Sequence, residues 1–273
     1  MGPVTPADLL NQLQAAAPVD FRIDGYIDAG GQGAVVRGEY QGREAAIKLF
    51  GPHHDPRRLD REIQLLQAIN HPNLVKILGT TMVTIGGTAH PLVGYEFLHG
   101  GDLRKHLAAA APVLTTEQLL NIAVDVASAV EILWQGRIVH RDVKPANIVD
   151  AGNRNVLVDV GFCRHLNLSN LTLLGQGVGT QGYMSREQAQ GRRNLTIHSD
   201  IFSLGITLYE LASKRHPFQG NQALIGVLKP LPLSSHRADL PIAFAGLVDQ
   251  MLATVPAQRP SGLAFRFNQL KAI

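Results

Sequence analysis

The 273-residue sequence predicts an α+β fold in two lobes: a five-stranded antiparallel sheet carrying one helix, then a mainly helical lobe. Three observations carry this expectation. Short β-like runs punctuated by glycines fill the opening part of the chain. Near residue 95 the texture changes to long stretches of helical periodicity. No unit of roughly 20 to 50 residues repeats, which sets solenoids aside. The implied organisation is an N-terminal extension over 1–20, a first lobe over 21–95 and a second over 96–273, within the length of one large domain or two intimate lobes.

Taken in order, Pro6 to Ala17 reads as a short amphipathic helix stopped by Pro18, with Leu9, Leu10 and Leu13 placed to pack on the first lobe. Asp20 to Asp28 and Ala34 to Tyr40 read as strands joined by the glycine-rich Gly30-Gly31-Gln32-Gly33, and Glu44 to Phe50 as a third. Asp55-Pro56 then supplies an N-cap and a proline at the first helical position, followed by Leu59, Ile63, Leu66 and Ile69 at helical spacing. Leu74 to Gly79 and Leu92 to Leu98 complete the expected sheet. Beyond them, Thr116 to Trp134 and Asp200 to Ala212 are strong helical patterns, while Leu247 to Thr254 and Leu263 to Ile273 are weaker ones.

Composition excludes several classes. Charged residues are 17% of the chain, yet the apolar fraction of 45% is ordinary, so disorder is not the expected state. A net charge of +3 beside a pI near 9.1 reflects a small excess of basic residues, not a polybasic surface, so no nucleic-acid or membrane-surface partner is implied. The most apolar stretch, Leu119 to Trp134, is broken by Asn121, Asp125, Ser128 and Glu131 and cannot cross a membrane. The single cysteine, Cys163, allows no intramolecular disulfide and fits a reducing compartment, for which the cytoplasm is the expectation. Four residues after Asp159, that thiol reads as a small buried hydrophobe rather than a reactive group.

The chemistry concentrates in a few places. Glu62 falls on the apolar stripe of the first-lobe helix, where a charge needs a partner, and Lys48 at the end of Ala45-Ala46-Ile47-Lys48 is the obvious one. The loop Gly30-Gly31-Gln32-Gly33 offers unobstructed backbone N–H groups to a phosphate chain, although a plain hairpin turn has the same composition. The strongest signal is His140-Arg141-Asp142-Val143-Lys144-Pro145-Ala146-Asn147, with Asp159-Val160-Gly161 twelve residues beyond the asparagine. Asp142 can accept a hydroxyl proton, Lys144 can neutralise a transferring phosphate, and Asn147 with Asp159 offers oxygen ligands suited to magnesium.

These segments resemble the signature set of eukaryotic-type serine/threonine protein kinases, bacterial members above all, from about Phe21 to Leu270. The resemblance implies a two-lobe protein-kinase-like fold that transfers the γ-phosphoryl of ATP to protein hydroxyls with Mg²⁺ or Mn²⁺. It places Gly30, Gly31, Gly33 and Val35 over the nucleotide, Ala46 and Val149 against adenine, Tyr95 at the gatekeeper position, and Glu96, Phe97 and Leu98 in the hinge. Lys48, held by Glu62, would contact the α- and β-phosphates. Asp142 would be the catalytic base, Lys144 the γ-phosphate contact, and Asn147 with Asp159 the metal ligands. Gly179-Thr180 is similar to the substrate-positioning turn, Glu187 would pair with Arg259, and Asp200 would brace the catalytic loop. Lys144 and Gly179-Thr180 favour serine/threonine over tyrosine specificity, and Arg141 favours protein over small-molecule substrates. A nucleotide-binding scaffold without activity and a small-molecule kinase are the alternatives. A transient homodimer for self-phosphorylation is the implied assembly.

Four features depart from the family pattern. Asp28 stands in place of the first loop glycine, Val160 in place of phenylalanine and Arg186 in place of proline, and the Lys48 to Glu62 interval is short. None removes a group that handles phosphate or metal. The regulatory candidates are Ser169, Thr172 and Thr180, with Arg141 and Arg164 as cations that would converge on an added phosphate at Thr172. The histidines, His53, His54 and His71 among them, carry structural readings.

Overall fold

The computed structural model describes residues 6–30, 33–51, 63–160 and 182–271. Glu62, Gly31, Arg164, Ser169, Thr172, Thr180, Gly179 and Cys163 therefore lie outside the described residues, as do Leu59 and the Asp55-Pro56 cap. The chain divides into two compact units. One comprises residues 1–70, 75–98 and 165–167, and the other 71–74, 99–164 and 168–273.

The first unit is an antiparallel sheet of β1 (Phe21–Gly30), β2 (Gly33–Tyr40), β3 (Arg43–Phe50), β4 (Ile77–Ile85) and β5 (Thr88–Glu96), in the order β1-β2-β3-β5-β4. Helix α1 (Pro6–Ala16) lays Leu9, Leu10 and Leu13 on it, and Gln14 Nε2 donates to the Ile23 carbonyl at 3.1 Å. Leu13 is fully buried in one core with Phe21, Ile23, Val36, Ala45, Ile47, Leu49, Val83 and Leu92. Residues 63–67 are helical, with Ile63 buried.

Two expectations about the sheet are corrected. The fourth strand runs over Ile77–Ile85 rather than Leu74 to Gly79, and the fifth over Thr88–Glu96 rather than Leu92 to Leu98. The cause is the Gly86-Gly87 turn, whose two positive φ angles suit the twist of a tight hairpin and so fix where both strands end. Leu74 instead makes a lone parallel bridge to Leu157, which belongs to the second unit.

The second unit is mostly helical: α2 (Thr116–Gln135), α3 (Arg186–Ala189), α4 (Ile197–Ser213), α5 (Ile242–Met251) and α6 (Leu263–Leu270), with the two-stranded ribbon β6 (Ile148–Asp150) and β7 (Asn155–Leu157). Helix α2 begins at a capping box: the Gln118 N–H donates to Thr115 Oγ1 and the Thr115 N–H to Gln118 Oε1. Helix α4 is apolar nearly all round, which marks it as the centre of this unit. The buried Thr207 hydroxyl turns back onto the helix, Oγ1 donating to the Ser203 carbonyl at 2.9 Å. Helix α5 occupies Ile242–Met251 where Leu247 to Thr254 was expected, because Pro241 starts it earlier.

Candidate active site

In the first unit, strand register separates core from chemistry. Side chains alternate between the two faces of a strand, so Ala45, Ile47 and Leu49 of β3 join the core beneath α1 while Ala46 and Lys48 take the other face. Val35 pairs with Lys48 on β2, and Val93 and Tyr95 pair with Lys48 and Ala46 on β5. Val35, Ala46, Lys48 and Tyr95, all named as nucleotide candidates, therefore share the face opposite α1. Lys48 is buried, with its ammonium 5.1 Å from the centre of the Phe50 ring. Gly30 ends β1 opposite Gly33, and a Cβ at Gly33 would come within 1.9 Å of the Leu49 carbonyl oxygen, so the hairpin tolerates no side chain there. Asp28 is exposed on β1. Glu96 closes β5, its Oε1 accepting from the Lys76 N–H at 3.0 Å, and Leu98 follows half-buried.

In the second unit, the polar loop after α2 is built on Asp200, in the first turn of α4. Both of its carboxylate oxygens accept backbone N–H groups at 2.7 Å, Oδ2 from His140 and Oδ1 from Arg141. Two successive N–H groups pointing at one carboxylate force the chain to bend, and Arg141 takes φ +68°, a left-handed conformation that non-glycine residues adopt at a cost. Burial pushes the Asp200 carboxyl up to about 7, against the pull of those two N–H groups toward the anion. The bend delivers Asp142, which is 5% exposed.

Asp142 is held from two sides. Asn147 Nδ2 donates to its carbonyl at 2.8 Å and to its Oδ2 at 2.9 Å, and Lys144 Nζ lies 3.0 Å from the same Oδ2. With both Nδ2 protons on Asp142, Asn147 presents its Oδ1 as the remaining polar atom. The Asp142 N–H donates to His140 Nδ1 at 3.3 Å, which makes Nε2 the protonated nitrogen of a neutral ring and lets it donate to the Val158 carbonyl at 3.0 Å. The Val158 N–H returns to the Asn147 carbonyl, and Asp159 follows directly with φ +62°. Val149 sits opposite Val156 in the β6–β7 ribbon, and Val160 is buried.

Asn147 and Asp159 offer oxygen donors of the kind magnesium takes when phosphate oxygens and water complete its shell. Among the described residues no group of three or more His, Cys, Asp or Glu is placed to hold a metal ion by itself.

A second buried anchor follows in sequence. Glu187 of α3 pairs with Arg259 through two contacts, Nη1 to Oε1 at 2.5 Å and Nη2 to Oε2 at 3.1 Å. Ser199 Oγ also donates to Glu187 Oε1 at 3.0 Å. Arg259 donates further to the carbonyls of Ala253, His198 and Thr254 and lies 4.7 Å over the Phe202 ring. Burial by itself would raise the Glu187 carboxyl; the guanidinium overrides it and holds the group below the usual carboxylate range. Arg186, where the family pattern has proline, begins α3 behind a Ser185 cap and lies against Gly226, so the helical turn forms without the proline.

Sequence reasoning did not single out the groups that tie these parts together. Gln188 Nε2 donates to the Arg141 carbonyl at 2.7 Å, linking α3 to the residue before Asp142. Ser203 Oγ donates to the Tyr183 carbonyl at 2.8 Å, and the Tyr183 hydroxyl donates to Glu210. The buried polar positions of the otherwise apolar α4 pattern, Ser203 and Glu210, were the available signal for the last two.

Comparison with known proteins follows the same outline. Residues 21–271 match the family described as "Protein kinase domain". The chain is 32% identical over 256 residues to the "Probable serine/threonine-protein kinase PknB" of Corynebacterium glutamicum, covering 88% of this chain and 39% of that protein. It is 36% identical over 197 residues to the serine/threonine-protein kinase PrkC of Bacillus subtilis, covering 69% of this chain and 29% of that protein. It thus spans well under half the length of these relatives. In fold it is similar to the crystal structure of the Mycobacterium tuberculosis PknI kinase domain, with a TM-score of 0.74, 24% identity, and coverage of 93% of this chain and 97% of the other. The two-unit architecture, the loop hung from Asp200 and the match over residues 21–271 agree: the chain belongs to the protein kinase domain family.

Proposed function

We propose that the chain is a serine/threonine protein kinase that transfers the γ-phosphoryl group of Mg-ATP to hydroxyls of proteins, itself included. The observation that carries this reading is Asp142, buried, with one carboxylate oxygen shared by Asn147 and Lys144, in a loop whose path is imposed by Asp200. Oδ2 is taken by these two donors, and Asp142 orients the incoming hydroxyl and accepts its proton. Lys144, 3.0 Å from Asp142, is placed to follow the hydroxyl with positive charge as the phosphoryl group moves. Lys48, with Glu62, holds the α- and β-phosphates, and Val35, Ala46, Tyr95, Glu96, Leu98 and Val149 receive the base. Asn147 Oδ1 and the Asp159 carboxylate hold the divalent cation, which when bound neutralises charge on the phosphates. Thr172 is the proposed activating site, with Arg141 and Arg164 as the cations that would converge on its added phosphate.

Similarity to relatives named as serine/threonine-protein kinases supports protein rather than small-molecule substrates. Among the described residues no helix is long and apolar enough to cross a membrane. We place the catalytic unit in the cytoplasm, where Mg-ATP and a reduced Cys163 coexist, with a transient homodimer for self-phosphorylation.

The test is transfer of labelled γ-phosphate from Mg-ATP to the chain itself and to myelin basic protein, with Asp142→Asn as the control. The expected outcome is a loss of at least about a hundredfold in kcat, the scale of removing a positioned base. Equal signal from both proteins would overturn the reading.

A further inference from the structure

Between α4 and α5 the chain makes a sharp bend at Gln219 and Gly220, both at positive φ, and Asn221 then caps a single 3-10 turn, its Oδ1 accepting from the Ala223 N–H at 2.9 Å. Gln222 opens that turn. Its carboxamide reaches across to residues 182–184 and meets both ends of Tyr183: the Gly182 N–H donates to Oε1 at 3.3 Å, and Nε2 donates to the Met184 carbonyl at 2.9 Å. An N–H and a C=O two residues apart, satisfied together from one side, is what a neighbouring β-strand provides; here one side chain does it. The reach depends on backbone approach. Gly182 sits at φ +106° with its open side against Gly220, where a Cβ would come within 2.9 Å of the Gly220 carbonyl oxygen.

The rest of the turn is held from α4 and its C-terminal extension. The Tyr183 carbonyl accepts from Ser203 Oγ, its hydroxyl donates to Glu210, and its ring meets His216 edge-on at 5.3 Å. Six residues beyond Gly182, Gln188 bonds the Arg141 carbonyl, so this segment is one side chain away from the loop that carries Asp142. A hydroxyl presented to Asp142 brings the residues that flank it beside this loop and the segment tied to it.

We propose that Gln222 is a positioning residue for protein substrates: it fixes the 182–184 backbone against which the chain flanking the acceptor hydroxyl lies. The proposal rests on the kinase reading above and adds a residue whose effect falls on the protein substrate and not on ATP. Removing the clamp loosens the turn, so the substrate binds less well while chemistry at a correctly seated hydroxyl proceeds.

The test uses the full chain with Gln222→Met, which keeps the length and loses both bonds, and Gln222→Glu, which keeps the acceptor and loses the donor. With myelin basic protein as substrate, Gln222→Met is expected to raise the KM for that protein about five- to tenfold, the scale of one to two hydrogen bonds. kcat and the KM for ATP should each move by less than about twofold. In hydrogen-deuterium exchange, the Gly182 amide should exchange faster in Gln222→Met and stay protected in Gln222→Glu, whose KM should be intermediate. Unchanged exchange at Gly182 overturns the clamp whatever the activity. A fall in kcat and melting temperature with an unchanged protein KM overturns the substrate role in favour of a structural one. A wild-type chain that phosphorylates no protein removes the kinase reading, and with it the substrate role, while the Gly182 exchange still decides the clamp.

Discussion

Asp200 and Glu187 are carboxylates buried to similar depth in the same unit, 1% and 8% exposed, and they are stabilised in opposite ways. Asp200 meets two backbone N–H groups and no bidentate cation, and burial leaves its carboxyl raised to about 7. Glu187 meets the full charge of Arg259 in a bidentate pair, and its carboxyl is held low. Partial dipoles are directional and close at hand, so Asp200 shapes a loop: it dictates the positive φ of Arg141 and hence the placement of Asp142. Glu187 and Arg259 meet as side chains instead, and through Ser199, His198 and Ala253 they hold α3, the start of α4 and the end of α5 in one place. One carboxylate is a template for backbone and the other a staple between elements.

The largest effect should come from removing the staple's cation. Arg259→Met leaves Glu187 buried without its partner and is expected to cost about 3–5 kcal/mol, read as a lower midpoint in urea unfolding. A cost under about 1 kcal/mol would show that Ser199 suffices for Glu187 and that the two carboxylates differ less than their geometry implies.

The second effect is in pH. For Asp200 the folded value lies above the unfolded one, so the native state carries the extra proton between about 4 and 7, and this group's contribution to stability falls as pH rises through that window. For Glu187 the folded value lies below the unfolded one, so its contribution is present above the ordinary carboxylate range and is lost as pH falls through the folded value. Asp200→Asn, which keeps one acceptor oxygen, should remove the first slope, and its stability should approach that of wild type by about 1 kcal/mol per pH unit between pH 5 and 7. Parallel curves for the two proteins across that range would mean that the backbone N–H groups, not burial, govern Asp200.

A smaller effect sharpens the comparison with a third carboxylate. Glu210 is raised by burial, and the Tyr183 hydroxyl is the donor it meets. Tyr183→Phe should cost about 1 kcal/mol in thermal or urea unfolding, less than either larger anchor, because a single hydrogen bond is lost and no buried ion pair is broken.

Much of this was legible before any coordinates. His140 to Asn147 declared themselves because groups able to move protons, charge and metal stood in one short loop, with Asp159 twelve residues beyond it. The first three strands were readable to within two residues because Ala45, Ile47 and Leu49 alternate with Ala46 and Lys48, and that alternation also sorted core from site. β4 was misplaced because its threonines, Thr80, Thr81 and Thr84, give no apolar run; their β-branching and the Gly86-Gly87 turn were the signals to weigh. Gln188 and Gln222 were invisible for a different reason. Their partners are carbonyls and N–H groups of distant residues, and every residue but proline carries both, so nothing in the sequence marks which ones a side chain will meet.

Leu13 has a final consequence, for where the protein may be cut. The family match opens at residue 21, yet a side chain eight positions earlier is fully buried among Phe21, Ile23, Val36 and Ile47. A fragment trimmed to the recognisable boundary would begin life with a hole in the sheet's interior and with Leu9 and Leu10 missing from its surface. The stretch that descent labels and the stretch that folds are different lengths, and dissection, fusion or expression of this catalytic unit should follow the second.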